Sequence, residues 1–274
     1  LARFQQVDER LSTEPKASLN IRPEPSRLGL FAFVSEGGVT MTAAHSVEVP
    51  KSPVPAVLYK YLPPERIDVL ENMGLRFSPP SQFNDTFDTH YLVPKSQGLT
   101  GKAARSMLKN RLGILCLTER PNNHLMWVHY ASNHTGFVLG FNARASFFQE
   151  NNRVLRKVVY QNAPKVLSEA DASVCFYKSD EWTYEQEWRC VREFQNAEPR
   201  VVEIEPALIT HIVFGYRMET WQIARIMQYA NGYEMNQTQF LLSSPARSFW
   251  TFENIPKTMT VCDTCSGIGY LIKD

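Results

Sequence analysis

Two glutamates two residues apart, Glu185 and Glu187, stand in "WTYEQEWRCV" among aromatic residues and just ahead of Arg189. Paired carboxylates can divide catalytic labour. One holds a fixed negative charge against a developing cation, while the other orients or deprotonates an attacking group. If the segment is a strand, Glu185, Glu187 and Arg189 share one face, and Tyr184, Gln186 and Trp188 share the other. Such a face can bond a ribose hydroxyl or stabilise a sugar cation. It can equally be a structural row in which Arg189 neutralises both glutamates. Spacing alone leaves both readings open.

Three other segments carry reactive groups. "SQFNDTFDTH" gathers Asn84, Asp85, Asp88 and His90. Asn-Asp is a turn pair whose side chains bond their own backbone, and the spacing matches no calcium or zinc loop. "HLMWVHYASNHTGF" holds His124, His129 and His134. Five helical residues rotate a side chain by about 140°, so these three cannot share a face. A wall made of Trp127, His129 and Tyr130 fits better. "VCDTCSGIGY" supplies Cys262 and Cys265, a knuckle suited to zinc only if two further ligands complete it. No phosphate-binding loop, dinucleotide glycine motif, nucleophile elbow or His-Glu-x-x-His is present.

Such residues need a scaffold, and the chain is long enough to build one. It has 274 residues, 43% hydrophobic and 21% charged, and its 29 basic residues nearly cancel 28 acidic ones. That balance provides no electrostatic footprint for sequence-independent nucleic-acid binding. No apolar run approaches the roughly 18–20 residues that cross a bilayer. Five cysteines without framework spacing suit a reducing compartment, so a cytoplasmic location is expected.

Residues 1–56 are proline-rich and read as an extension or linker, partly disordered, with Met41 a candidate alternative start. Residues 57–250 read as one α+β domain, and 251–274 as a tail carrying the lone knuckle. Within the domain, "AVLYKYL" predicts a strand. "PPERIDVLENMG" predicts a short helix stopped by a left-handed Gly74, and "LRFS" a second strand. "GKAARSMLKNRLG" predicts a helix ending at Gly113, and "HLMWVHYA" a helix or turn. "ILCLT", "GFVLGF", "KVVYQ", "QEWRCVRE", "RVVEIE" and "HIVFG" predict strands. "METWQIARIMQYANG" predicts an amphipathic helix, with Ile223, Met227 and Ala230 on its apolar side, before a last strand at 239–244. This order points to a mixed, largely antiparallel sheet with short helices.

The succession "LYKYLPPERIDVLENMGLRFSPPSQFNDTFD", "ILCLTERPNNHLMWVHYASNHTGFVLGF", "VVY", "KSDEWTYEQEWR", "HIVFG" resembles the bacterial family called domain of unknown function 2971, over roughly residues 57–244. Thr86 departs from it, since the family usually has proline in "FNDPFD", and so does Asn142, where an acidic residue often follows. A second resemblance is to the layout of ADP-ribosyltransferases: an early strand–helix–strand and a late Glu-x-Glu. It implies NAD as the cofactor and an unidentified macromolecular acceptor, in an enzyme of defence or toxin type. Tyr59, Lys60 or Tyr61 would contact NAD, although many transferases have histidine or arginine there. Tyr130 would stack near the nicotinamide, with Trp127 beside it. Glu187 would stabilise the oxocarbenium-like transition state, and Glu185 would position the acceptor. Two other functions are weighed. One is a non-catalytic binding module presenting Trp127, Tyr130, Trp182 and Trp188. The other is a metal-dependent nuclease using Asp85, Asp88 and Glu187.

Overall fold

The computed structural model describes residues 34–35, 38–39, 51–92, 111–150, 152–166, 172–195, 198–249, 251–261 and 270–273. The Cys262–Cys265 knuckle and most of the expected helix before Gly113 lie outside them.

The first strand of the domain, β1 (Val57–Leu62), leads into a 3-10 turn at Pro64–Ile67 and a single α-turn, α1 (Asp68–Glu71). Proline starts this unit with a preset φ, and acidic residues occupy its first turn. The left-handed residue that ends it is Met73, with φ 42°, not Gly74, which instead opens β2 (Gly74–Arg76). Gly74 is needed for closeness: a Cβ there would lie 2.6 Å from Val201. Then come β3 (Leu112–Thr118), α2 (His124–Tyr130) and β4 (Phe137–Asn142). Gly113 lies inside β3 rather than ending a helix, because the Phe194 ring occupies the place of its side chain.

The expected "KVVYQ" strand is two, β5 (Arg153–Lys157) and β6 (Val159–Gln161). They part at Val158, whose N–H turns to the Glu187 carbonyl. Next follow β7 (Tyr177–Ser179), β8 (Glu187–Glu193), β9 (Val201–Glu203), β10 (Ile209–Phe214), α3 (Thr220–Gly232) and β11 (Gln239–Pro245). β11 was expected to be last, but β12 (Phe252–Pro256) pairs along its far edge.

Eight of these strands form one sheet in the order β12-β11-β10-β4-β1-β3-β8-β5. Neighbours run antiparallel except β10 and β11, which the α3 crossover makes parallel. The fold is thus α+β with a mixed, mostly antiparallel sheet, as the segment order predicted. One face buries Leu58, Leu115, Leu139, Phe141, Trp188 and Phe214 beneath Leu70 of α1 and Ile223, Ile226 and Met227 of α3. The opposite face carries two smaller apolar clusters, one around Trp127, Val138 and Val213, the other around Ile114, Val191 and Phe176.

The sheet is weakest at β1 and β3. These strands are paired only at Tyr59 opposite Thr118, while Ile114 further along β3 bridges to Ser78. In the gap, the Lys60 ammonium reaches over to donate to the Cys116 carbonyl at 3.2 Å.

Candidate functional site

A 380 Å³ cavity opens over this gap. Its floor comes from Tyr59, Lys60 and Tyr61 of β1 and Cys116, Leu117 and Thr118 of β3. One wall is Met126, His129 and Tyr130 of α2; another is Phe83, Asn84 and Asp88; Lys178, Glu185 and Glu187 close it. Strand alternation explains the floor. On β3, Leu115 and Leu117 face the main core, which leaves Cys116 and Thr118 on the other face. Gly140, opposite Tyr59 on β4, keeps space for the tyrosine ring, since a Cβ there would lie 2.9 Å from it.

The glutamates do not lie on a single strand. Asp180–Glu185 is a 3-10 helix, and Gln186 follows with φ 46°, so β8 starts at Glu187. The reversal still brings both carboxylates to one place, buried at 3% and 4% exposure. Two contacts fix the turn. The Thr118 hydroxyl donates to the Glu185 carbonyl at 2.5 Å, and Arg120 Nε donates to Gln186 Oε1 at 2.9 Å.

Arg189 does not neutralise both glutamates. Its guanidinium donates to Glu187 (2.8 and 3.0 Å) and to both oxygens of Asp88 (2.7 and 2.8 Å). Glu185 has other partners. Lys178 Nζ donates to it at 2.6 Å and reaches Glu187 at 3.4 Å, and the Tyr130 hydroxyl donates to its second oxygen at 2.6 Å. Three buried carboxylates thus meet two cations. Their environments separate the two glutamates. Burial works to raise the Glu187 carboxyl, but Arg189 and Lys178 override it and hold it at about 2. Burial and the Glu187 charge raise Glu185, with Lys178 and Tyr130 pulling back only in part. Glu187 is therefore a fixed anion, and Glu185 the carboxylate that exchanges a proton more readily. Burial lowers the Lys60 ammonium. Burial and the nearby Glu187 charge hold the Cys116 thiol protonated.

Most expected site residues converge here: Tyr59, Lys60, Tyr61, Asn84, Asp88, His129, Tyr130, Glu185 and Glu187 all line the cavity. Arg189 sits fully buried behind it. Trp127 does not line it. That ring is fully buried against Tyr61 and His134, and its helix neighbour Met126 takes the expected place. Asp85 is the turn former that its Asn-Asp context predicted, accepting from the Phe87 N–H at 2.8 Å. Of the three carboxylates of the nuclease reading, Asp88 and Glu187 are bound by Arg189 and Asp85 accepts from the backbone of its own turn. Among the described residues no three His, Cys, Asp or Glu side chains are placed to hold a metal ion. Of the four rings of the binding-module reading, Trp127 and Trp188 are core residues, whereas Tyr130 and Trp182 are half-buried.

Lys178 was the main residue missed. Its signal was a lysine ending the otherwise apolar run "VCFYK", where a buried ammonium requires acidic partners. Tyr160, whose hydroxyl accepts from the Glu187 N–H at 2.8 Å, gave none.

The model of a family described as "Protein of unknown function (DUF2971)" matches residues 126–190. The match runs from the cavity wall of α2 to the Glu-x-Glu-x-Arg that leads into β8 and supports the resemblance read from the segment order. No curated protein and no solved structure matches the chain.

Proposed function

Starting from a family resemblance that covers the carboxylates themselves, we propose that the chain is an ADP-ribosyltransferase-like enzyme that takes NAD and modifies a macromolecular acceptor. One observation carries the reading: two buried carboxylates, one held by Arg189 and the other by Lys178 and Tyr130, open onto a concave cavity. The adjacency of β1, β3 and β8 supports it, because the early strand, the middle strand and the late glutamate strand of that layout line one space.

The lining suits the nicotinamide-ribose half of such a molecule. The rings of Tyr59, Phe83 and Tyr130 offer π faces to a flat cation, and 380 Å³ lies within the range for small-molecule pockets. NAD would supply the ADP-ribosyl group, with nicotinamide as its leaving group. The chain's own residues then have distinct tasks. Glu187, held ionised by Arg189, sets a permanent negative potential where positive charge develops on a ribose. Glu185 accepts the proton that an attacking hydroxyl, amine or amide loses, and Lys178 stabilises the same carboxylate before transfer. Tyr130 fixes its orientation.

Titrating NAD by calorimetry into the wild-type chain and into Glu185→Gln tests the proposal. Saturable binding to both, with turnover only in the wild type, is expected. Absence of binding and of turnover with any acceptor overturns it.

A further inference from the structure

The segment between the 3-10 turn Pro80–Gln82 and Tyr91–Leu92 has few ties to the rest of the molecule. Its backbone bonds are local: Asp88 N–H to the Asp85 carbonyl at 3.1 Å and His90 N–H to the Phe87 carbonyl at 2.9 Å. Among the described residues, its hydrogen bonds to distant parts of the chain run from Asp88 to Arg189. Phe87 is 69% exposed. Next to the anchor, Thr89 is held at φ 58°, which a β-branched residue rarely adopts, and its buried hydroxyl has no partner among the described residues. Asp88 thus supplies the polar tie of a loop strained at Thr89, and Phe83, packed on the Ile114–Val191 cluster, its apolar one.

The loop also lies between two spaces. Phe83, Asn84 and Asp88 face the 380 Å³ cavity, whereas Phe87 and His90 line a second one of 280 Å³. Lys178, which lines both, stands 4.0 Å from Asp88. We infer that residues 83–90 form a strap fastened by Asp88 on Arg189, and that its release joins the two cavities into one cleft. Asp88 is then a positioning residue. Through Arg189 it places Phe83 and Asn84 on the cavity wall and decides whether a ligand longer than the first cavity can enter.

Cys116, half-buried on the cavity floor, serves as the probe. Its alkylation by iodoacetamide is followed by peptide mass spectrometry in the wild type, Asp88→Asn and Asp88→Glu, with buried Cys190 as the internal control. Asp88→Asn should label Cys116 about tenfold faster, with Asp88→Glu recovering most of the protection and Cys190 unchanged. Hydrogen exchange should accelerate in residues 83–90 but not in β8. An unchanged Cys116 rate overturns the strap. Faster labelling of Cys190 together with exchange through β8 also overturns it, since Asp88 would then support the whole core.

Discussion

At the residue scale, the site depends on how Arg189 and Lys178 divide themselves among three carboxylates. Glu187 accepts two bonds from the buried Arg189 and also faces Lys178, so Glu187→Gln should destabilise by about 3–5 kcal/mol, read as a lowered urea midpoint. Glu185→Gln should cost far less, because its own charge is already disfavoured and an amide still accepts from Tyr130. Glu187 also fixes an acid limit. Its folded pKa of about 2 lies below the ordinary 4.5, so its stabilisation is present above pH 4.5 and lost as pH falls through about 2. Denaturant titrations in that window should show the wild type losing stability more steeply than Glu187→Gln. His134 acts in a different window. Burial, with His124 and Arg217 nearby, lowers it from 6.5 to about 4. The unfolded chain then binds more protons between those values, so stability rises with pH from 4 to 6.5. His134→Asn, which tolerates the φ of 70° found there, should flatten that rise, as thermal melts across the window would reveal.

At the scale of elements, the cavity exists because β1 and β3 pair at one position and then diverge. Gly140 keeps the Tyr59 ring seated beside this gap. Gly140→Ala should clash with Tyr59 and His211, lower the melting temperature by an amount equivalent to about 1–3 kcal/mol, and weaken ligand binding with it. Much of this level was legible in the sequence. Short β-rich apolar runs identified β1, β4 and β10, and Ile223, Met227 and Ala230 marked the buried side of α3. What escaped was backbone behaviour that composition does not encode. Glu185 and Glu187 were read as neighbours on one strand face because period-two alternation continues through Gln186. The left-handed turn there is imposed by Thr118, Arg120 and Thr183, two of which are distant in sequence. Met73 rather than Gly74 takes the left-handed position for a similar reason, since Val201 demands the missing side chain.

At the scale of the whole molecule, one face of the sheet is a continuous core and the other is two clusters with the cavity between them. This division explains which sequence candidates converged. Residues on the second face of β1, β3 and β8 met, together with α2 and the loop holding Asp88, while Trp127 was drawn into a cluster and lost to the site. The partner of Glu185 could not be read from spacing, because Lys178 reaches it only after β7 and a 3-10 turn fold back. Among the described residues no helix is long and apolar enough to cross a membrane. In the proposed function Glu185 and Glu187 act as a pair in cleaving the bond to nicotinamide. The most direct measurement is nicotinamide release from NAD by the wild type and by Glu185→Gln at matched folded concentration. The account predicts steady release by the wild type and a loss of about a hundredfold or more in the variant, in keeping with removal of a general base. Equal release by the two proteins, or none by either with any acceptor supplied, would contradict it.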